Sequence, residues 1–108
     1  MRQKVTAILH FEARAVKDSG SPTILTKDIK CNANIERQFS QYYYRDNHRS
    51  MRNSQNLTVP KDLVSDIIDQ GNRYILMSVT LNDNKYKVRE ILNHKSSFLK
   101  ILDLEEMV

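Results

Sequence analysis

The residues best suited to chemistry lie in one polar stretch near the middle of the chain. This stretch has three arginines within eight residues and a run of three tyrosines directly before them. Arginine beside aromatic rings can contact phosphates and stack on exposed bases. The same residue types anchor protein interfaces, and an ordinary solvated loop is a third interpretation. The residues concerned are Arg45, His48, Arg49 and Arg52, preceded by Tyr42, Tyr43 and Tyr44.

The remaining residues do not form a known catalytic or metal-binding motif, so we predict that the chain is not an enzyme. Its two glycines, Gly20 and Gly71, cannot supply a P-loop, a dinucleotide-binding fingerprint or a nucleophile elbow. The three histidines stand in separate segments and there is one cysteine, Cys31, so we expect no metal and no cofactor. Cys31 falls in an apolar register, which favours a buried small side chain over a reactive thiol.

Charge is distributed unevenly along the chain. Residues 1–61 contain 11 Lys and Arg against 5 Asp and Glu, whereas residues 62–108 contain 6 against 8. This asymmetry suits either a basic face toward nucleic acid or complementary surfaces between copies of the chain. A chance imbalance of charge on a solvated surface is the alternative interpretation. Asp103, Glu105 and Glu106 form an acidic cluster that could meet a basic patch on a neighbouring copy.

Alternation of apolar and polar residues predicts strands over residues 5–16 and 28–36. In the last third, residues 73–81 place Ile75, Met77, Val79 and Leu81 on one predicted face, and a turn at residues 82–84 predicts a hairpin to residues 85–92. Residues 98–105 predict a closing strand. An apolar stripe over residues 61–70, opened by Pro60, predicts one short helix.

These elements predict a single domain, residues 1–108, that is mainly β: a small β-barrel or rolled antiparallel sheet with a long inserted loop at residues 37–57. A loop of this length is usually functional or disordered. The longest apolar run, residues 74–77, is too short to cross a membrane as a helix, so we expect no membrane partner. A single cysteine fits a reducing compartment.

The order of motifs resembles one known family. A first strand and a D-S-G-S-P turn lead into a Q-x-x-x-Y-Y segment. A long polar loop, an L-T-V-P step, a G-N-R-Y-I-L strand and a Y-K-V-R-E-I-L strand follow. This layout is similar to the small head-closure, or stopper, proteins in the head-to-tail connector of long-tailed bacteriophages and prophages. The helix at residues 61–70 and the absence of tryptophan depart from that pattern.

The resemblance implies a structural protein that forms a homo-oligomeric ring in the virion neck, after assembly in the bacterial cytoplasm. Its partners would be the portal or adaptor, tail proteins and packaged double-stranded DNA, contacted without sequence specificity. The channel-facing residues would then be Arg45, His48, Arg49 and Arg52. Another neck component, such as a head-tail adaptor, tail-completion or minor capsid protein, is an alternative. A small nucleic-acid-binding β-barrel is a second.

Overall fold

The computed structural model describes residues 2–16, 19–36 and 54–107, which form an almost entirely β structure. The predicted mainly-β fold class is therefore confirmed. Seven strands are present in this part of the chain. They are β1 (Arg2–Val16), β2 (Pro22–Glu36), β3 (Ser54–Pro60), β4 (Ile67–Asp69), β5 (Asn72–Leu81), β6 (Asn84–Asn93) and β7 (Leu99–Glu106).

Six of these strands close into an antiparallel barrel, which confirms the predicted small β-barrel. The strands follow the order β1-β2-β3-β7-β6-β5, and a further pairing of β1 with β5 joins the first strand to the last. Closure leaves no free edge along the paired parts of the wall. The short strand β4 pairs with the start of β5 as an extra strand.

The antiparallel order gives the barrel two distinct ends. At one end, here called the 37–53 end, β2 finishes and β3 begins, next to the start of β1 and the finish of β7. At the other, the 94–98 end, β6 connects to β7, β4 turns into β5, and the β1–β2 hairpin has its tip. The pairing of each residue with the neighbouring strands therefore shows which end of the barrel it lies near.

The barrel interior is filled by alternate residues of its strands, as the sequence pattern predicts for β1. Val5, Ala7, Leu9, Phe11 and Ala13 are buried in β1. Antiparallel partners share a face, so the opposing residues of β2 also point inward. The rest of the buried apolar core comes from the other segments: Ala33, Leu57, Val59, Val64, Tyr74, Leu76, Val79, Leu81, Tyr86, Leu102 and Leu104.

The inward register predicted for Cys31 is confirmed. Cys31 pairs with the fully buried Ala7 and packs, half-buried, against the core. Its partial burial raises the pKa of the thiol, because an apolar environment disfavours the charged thiolate.

The helix predicted over residues 61–70 is wrong. A single 3-10 turn, Lys61–Leu63, is followed by strand β4. Gln70 and Gly71 both have positive φ angles and connect β4 to β5 as a two-residue hairpin. β6 pairs with β5 only from Ser78 onward, so the start of β5 offers free backbone groups. A helix of this length has marginal stability on its own in water. Pairing with β4 instead satisfies the free backbone groups at the start of β5.

The predicted face of β5 is only half right, because the strand contains a β-bulge. Phe11 pairs with Leu76 and His10 pairs with Ser78, which leaves Met77 as one extra residue on β5. A bulge of this kind reverses the alternation of side chains along the strand. Val79 and Leu81 point inward as predicted, whereas Ile75 and Met77 lie on the outer face, 45% and 46% exposed.

The predicted turn after β5 is confirmed. Leu81 pairs with Asn84, and the two residues between them, Asn82 and Asp83, both have positive φ angles. Asparagine and aspartate tolerate that conformation better than other residues with a side chain. In β7, Leu102 and Leu104 are buried, whereas Phe98, just before the strand, is 80% exposed.

Candidate functional site

The predicted channel-facing residues are attached to a defined end of the barrel. Arg45, His48, Arg49 and Arg52 lie outside the described residues, as do the three tyrosines at positions 42–44. The strands on either side are described: β2 ends at Glu36 and β3 begins at Ser54. These strands are neighbours in the wall, so the segment between them joins the barrel at its 37–53 end.

The acidic residues of the predicted interface occupy β7 near that same end. Glu105 pairs with Ser54, and Asp103 pairs with Asn56. Asp103 accepts a hydrogen bond from Arg89, with 2.9 Å between Nη2 and Oδ1, so its charge is already partly compensated. Alternation along β7 directs Asp103 and Glu105 outward and Glu106 inward, in phase with Leu104. Both glutamates are half-buried and each has an interaction partner.

A hydrogen-bonded cluster that the sequence did not reveal crosses three strands on the outer face. His10 on β1 contacts Asp28 on β2, with 2.8 Å between Nδ1 and Oδ1. Its other ring nitrogen lies 2.7 Å from Oγ1 of Thr80 on β5. Because the carboxylate can only accept, Nδ1 donates to Asp28; in the neutral imidazole, Nε2 then accepts from the threonine hydroxyl.

An Asp–His–Thr arrangement has the connectivity of a base-activated hydroxyl nucleophile. Such chemistry also needs donors placed for the developing oxyanion, beside a site that excludes water. Here Asp28 is 62% exposed, and His10 stands on a strand that is paired on both sides. A cross-strand network that fixes the register of β2, β1 and β5 explains the two contacts without invoking catalysis.

An ion pair joins β2 to β4 toward the 94–98 end of the barrel. Lys27 on β2 pairs with the buried Phe11 and shares its inward register, although its side chain is still 35% exposed. Its ammonium nitrogen lies 2.7 Å from Oδ2 of Asp69 and 5.0 Å from the centre of the Tyr74 ring. The hydrogen bond to Asp69 raises the pKa of the lysine, so the ammonium form is favoured.

The outer face of β1, β2 and β5 carries exposed apolar side chains. Ile24 is 61% exposed, and with Ile75 and Met77 it borders a shallow depression of about 460 Å³. We call these three residues the outer apolar patch. Charged residues surround it, among them Glu12 and Arg14. Contiguous exposed apolar residues with a polar rim are typical of protein contact surfaces.

A basic cavity at the 94–98 end is the other feature that sequence reasoning missed. It has a volume of about 300 Å³ and is lined by Lys61, Lys95 and Lys100 together with polar residues of the β6–β7 connection. These lysines come from three separate positions along the chain. No run of basic residues marks them, so only the fold brings them together.

Two further observations concern metals and membranes. Within residues 2–16, 19–36 and 54–107, no three His, Cys, Asp or Glu side chains are grouped closely enough to share a metal ion. The described part of the chain also contains no helix of sufficient length and apolar character to span a bilayer.

Comparisons with models of protein families, with curated proteins and with solved structures returned no match to this chain. Evidence for its function therefore comes from its own residues and their arrangement.

Proposed function

We propose that this chain is a structural component of the head-to-tail connector of a long-tailed phage or prophage. It would form a ring below the portal, join the head to the tail and help to close the DNA channel. This role requires no catalytic site. It requires a rigid body, a surface for neighbouring copies and a segment that reaches into the channel.

The observation that carries the proposal is the attachment of residues 37–53 to a closed barrel. These residues leave β2 and re-enter at β3, two adjacent strands of the wall. A barrel held by its own core gives such a segment a fixed base. The order of motifs, similar to that of head-closure proteins, supports the same role.

Contacts between copies have a surface available on the barrel. A cyclic ring needs two different, complementary surfaces on each copy, in a heterologous contact that closes by rotation. The outer apolar patch supplies one apolar surface. The excess of positive charge in residues 1–61 and of negative charge in residues 62–108 supplies complementary charge.

Arg45, His48, Arg49 and Arg52 would then contact packaged double-stranded DNA. Contacts from arginine to phosphate oxygens position a protein on DNA without reading its sequence.

The proposal can be tested by removing the gene from a phage or prophage that encodes the chain. We expect heads and tails to accumulate unjoined, with DNA lost from the heads, and the wild-type protein supplied in trans to restore joined particles. Neighbouring genes for a portal, a capsid and a tail tube would agree with this result. Normal yields of joined, filled particles without the gene would contradict the proposal.

A further inference from the structure

The basic cavity at the 94–98 end is lined by side chains that favour an anion. None of the described residues that line it is acidic, and three are lysines. Three ammonium groups around one cavity of about 300 Å³ repel one another, and a bound phosphate would offset that repulsion. Its polar lining offers hydroxyl and imidazole groups as well. The residues are Lys61, Lys95, Lys100, His94, Ser96 and Ser97.

Backbone and side-chain hydrogen bonds hold the cavity in shape. The N–H of Lys61 donates to the carbonyl of Phe98 over 2.8 Å, which ties the turn after β3 to the β6–β7 connection. Within that connection, the N–H of Ser96 donates to Nδ1 of His94 over 3.0 Å. The neutral ring therefore carries its proton on Nε2, which is left as a donor.

Lys100 is also positioned by its surroundings. Its ammonium group donates to Oδ1 of Asn93 over 2.6 Å, across the ends of β6 and β7. One of its three donors is used in this way, and the others remain for a ligand. A cation held by a neighbouring amide loses less side-chain freedom on binding than a free surface lysine.

Phe98 carries an exposed aromatic ring in the same β6–β7 connection. Its side chain is 80% exposed, although phenylalanine is among the residues most often buried. Its neighbours Ser97 and Leu99 both line the cavity. Its N–H donates to Oγ of Ser96 over 3.2 Å and its carbonyl accepts from Lys61, so the backbone is held while the ring faces solvent.

We infer that the 94–98 end binds single-stranded nucleic acid, with phosphates held by Lys61, Lys95 and Lys100 and a base stacked on Phe98. Proteins that bind single strands without sequence preference combine these two features, a basic groove and an exposed aromatic ring. This site is at the opposite end of the barrel from residues 37–53 and does not depend on the proposed role of those residues.

The inference can be tested by fluorescence anisotropy of a labelled ten-nucleotide oligothymidylate with the full chain. The triple variant Lys61→Gln, Lys95→Gln, Lys100→Gln should weaken binding by tenfold or more. It should also reduce the slope of log affinity against log salt by about 2, since each single-strand phosphate contact contributes roughly 0.7. Phe98→Ala should weaken binding roughly fivefold or more, as expected for one stacked base.

A matched control removes three exposed lysines elsewhere, in the variant Lys30→Gln, Lys85→Gln, Lys87→Gln. It has the same net charge as the first triple variant and should bind more tightly than that variant. A duplex of the same length offers no unstacked base, so Phe98→Ala should leave duplex binding unchanged. Equal losses in the two triple variants, or binding of inorganic phosphate at this end without any effect of Phe98→Ala on oligothymidylate, would overturn the inference.

Discussion

Glu36, the last residue of β2, pairs with Asn56 on β3, and this pairing closes the barrel wall beside residues 37–53. Only three residue pairs join the two strands, whereas β3 forms seven with β7 on its other side. The segment therefore begins and ends at neighbouring strands, and every described core residue lies outside it.

From this pairing we predict that residues 44–52 can be deleted without loss of the barrel. The thermal unfolding midpoint, followed by circular dichroism in the β region, should stay close to that of the wild type. In the phage, the same deletion should give heads that fail to retain DNA. Stable filled heads made with a folded deletion variant would contradict the role assigned to Arg45, Arg49 and Arg52.

The outer apolar patch leads to a prediction about self-association. Changing Ile75 and Met77 together to Ser should weaken contacts between copies, measured as a shift of sedimentation velocity toward the monomer at high protein concentration. Stability should change little, because both side chains are nearly half exposed. The matched control is Ile91→Ser with Leu92→Ser, two exposed residues of β6. If that control has the same effect, the patch is not the contact surface.

The contact between His10 and Thr80 predicts a measurable contribution to stability. Thr80→Val removes the hydroxyl and leaves Nε2 of the partly buried His10 without this partner, which should lower the free energy of unfolding by about 1 kcal/mol. Chemical denaturation measures this change. Thr26→Val, at an exposed position of β2, makes the same substitution without a histidine contact and should change the free energy by much less.

The same cluster allows a test of the prediction that the chain is not an enzyme. Hydrolysis of a nitrophenyl ester by the wild type should not exceed that of the His10→Ala variant. A faster reaction in the wild type that is lost in both His10→Ala and Thr80→Val would show a base-activated hydroxyl and contradict a purely structural network.

Cys31 predicts slow thiol chemistry in the folded chain. Burial raises the pKa of this thiol above its ordinary value of 9.0, and the thiolate is the reactive form. Reaction with a disulfide reagent at pH 8 should be slower in the native chain than in guanidinium, with Cys31→Ser as the blank. Because folding raises the pKa of this thiol, Cys31 stabilises the native state at pH values below the ordinary thiol pKa. This contribution to the free energy of unfolding is lost as pH rises through the pKa of the folded chain. Equal rates in the native and unfolded chain would contradict this.

The sequence predicted the local features of the fold well. Regular alternation over β1 and β2 identifies both the strands and their inner faces. Apolar residues at every second position match a strand in the one register that buries all of them. The turn at Asn82 and Asp83 is also a local signal. The prediction of a helix over residues 61–70 was wrong because Leu63, Val64 and Ile67 can pack inward from a turn and a strand as well as from a helix.

The candidate sites were much harder to predict from the sequence. His10 and Thr80 are 70 positions apart, and their contact depends on how β5 pairs with β1. A single extra residue, Met77, decides which side chains of β5 face outward. Lys61 is likewise brought beside Lys95 and Lys100 only by the pairing of β3 with β7. Such sites depend on register and bulges, which composition and periodicity do not encode.

The most direct test of the proposed function is electron microscopy of the chain mixed with the portal and adaptor proteins encoded beside it. We predict rings of this chain below the portal, with density from residues 37–53 directed toward the central channel. Rings should be reduced by the Ile75 and Met77 double variant. A chain that remains monomeric with every neck partner, and is absent from purified virions, would contradict the proposal.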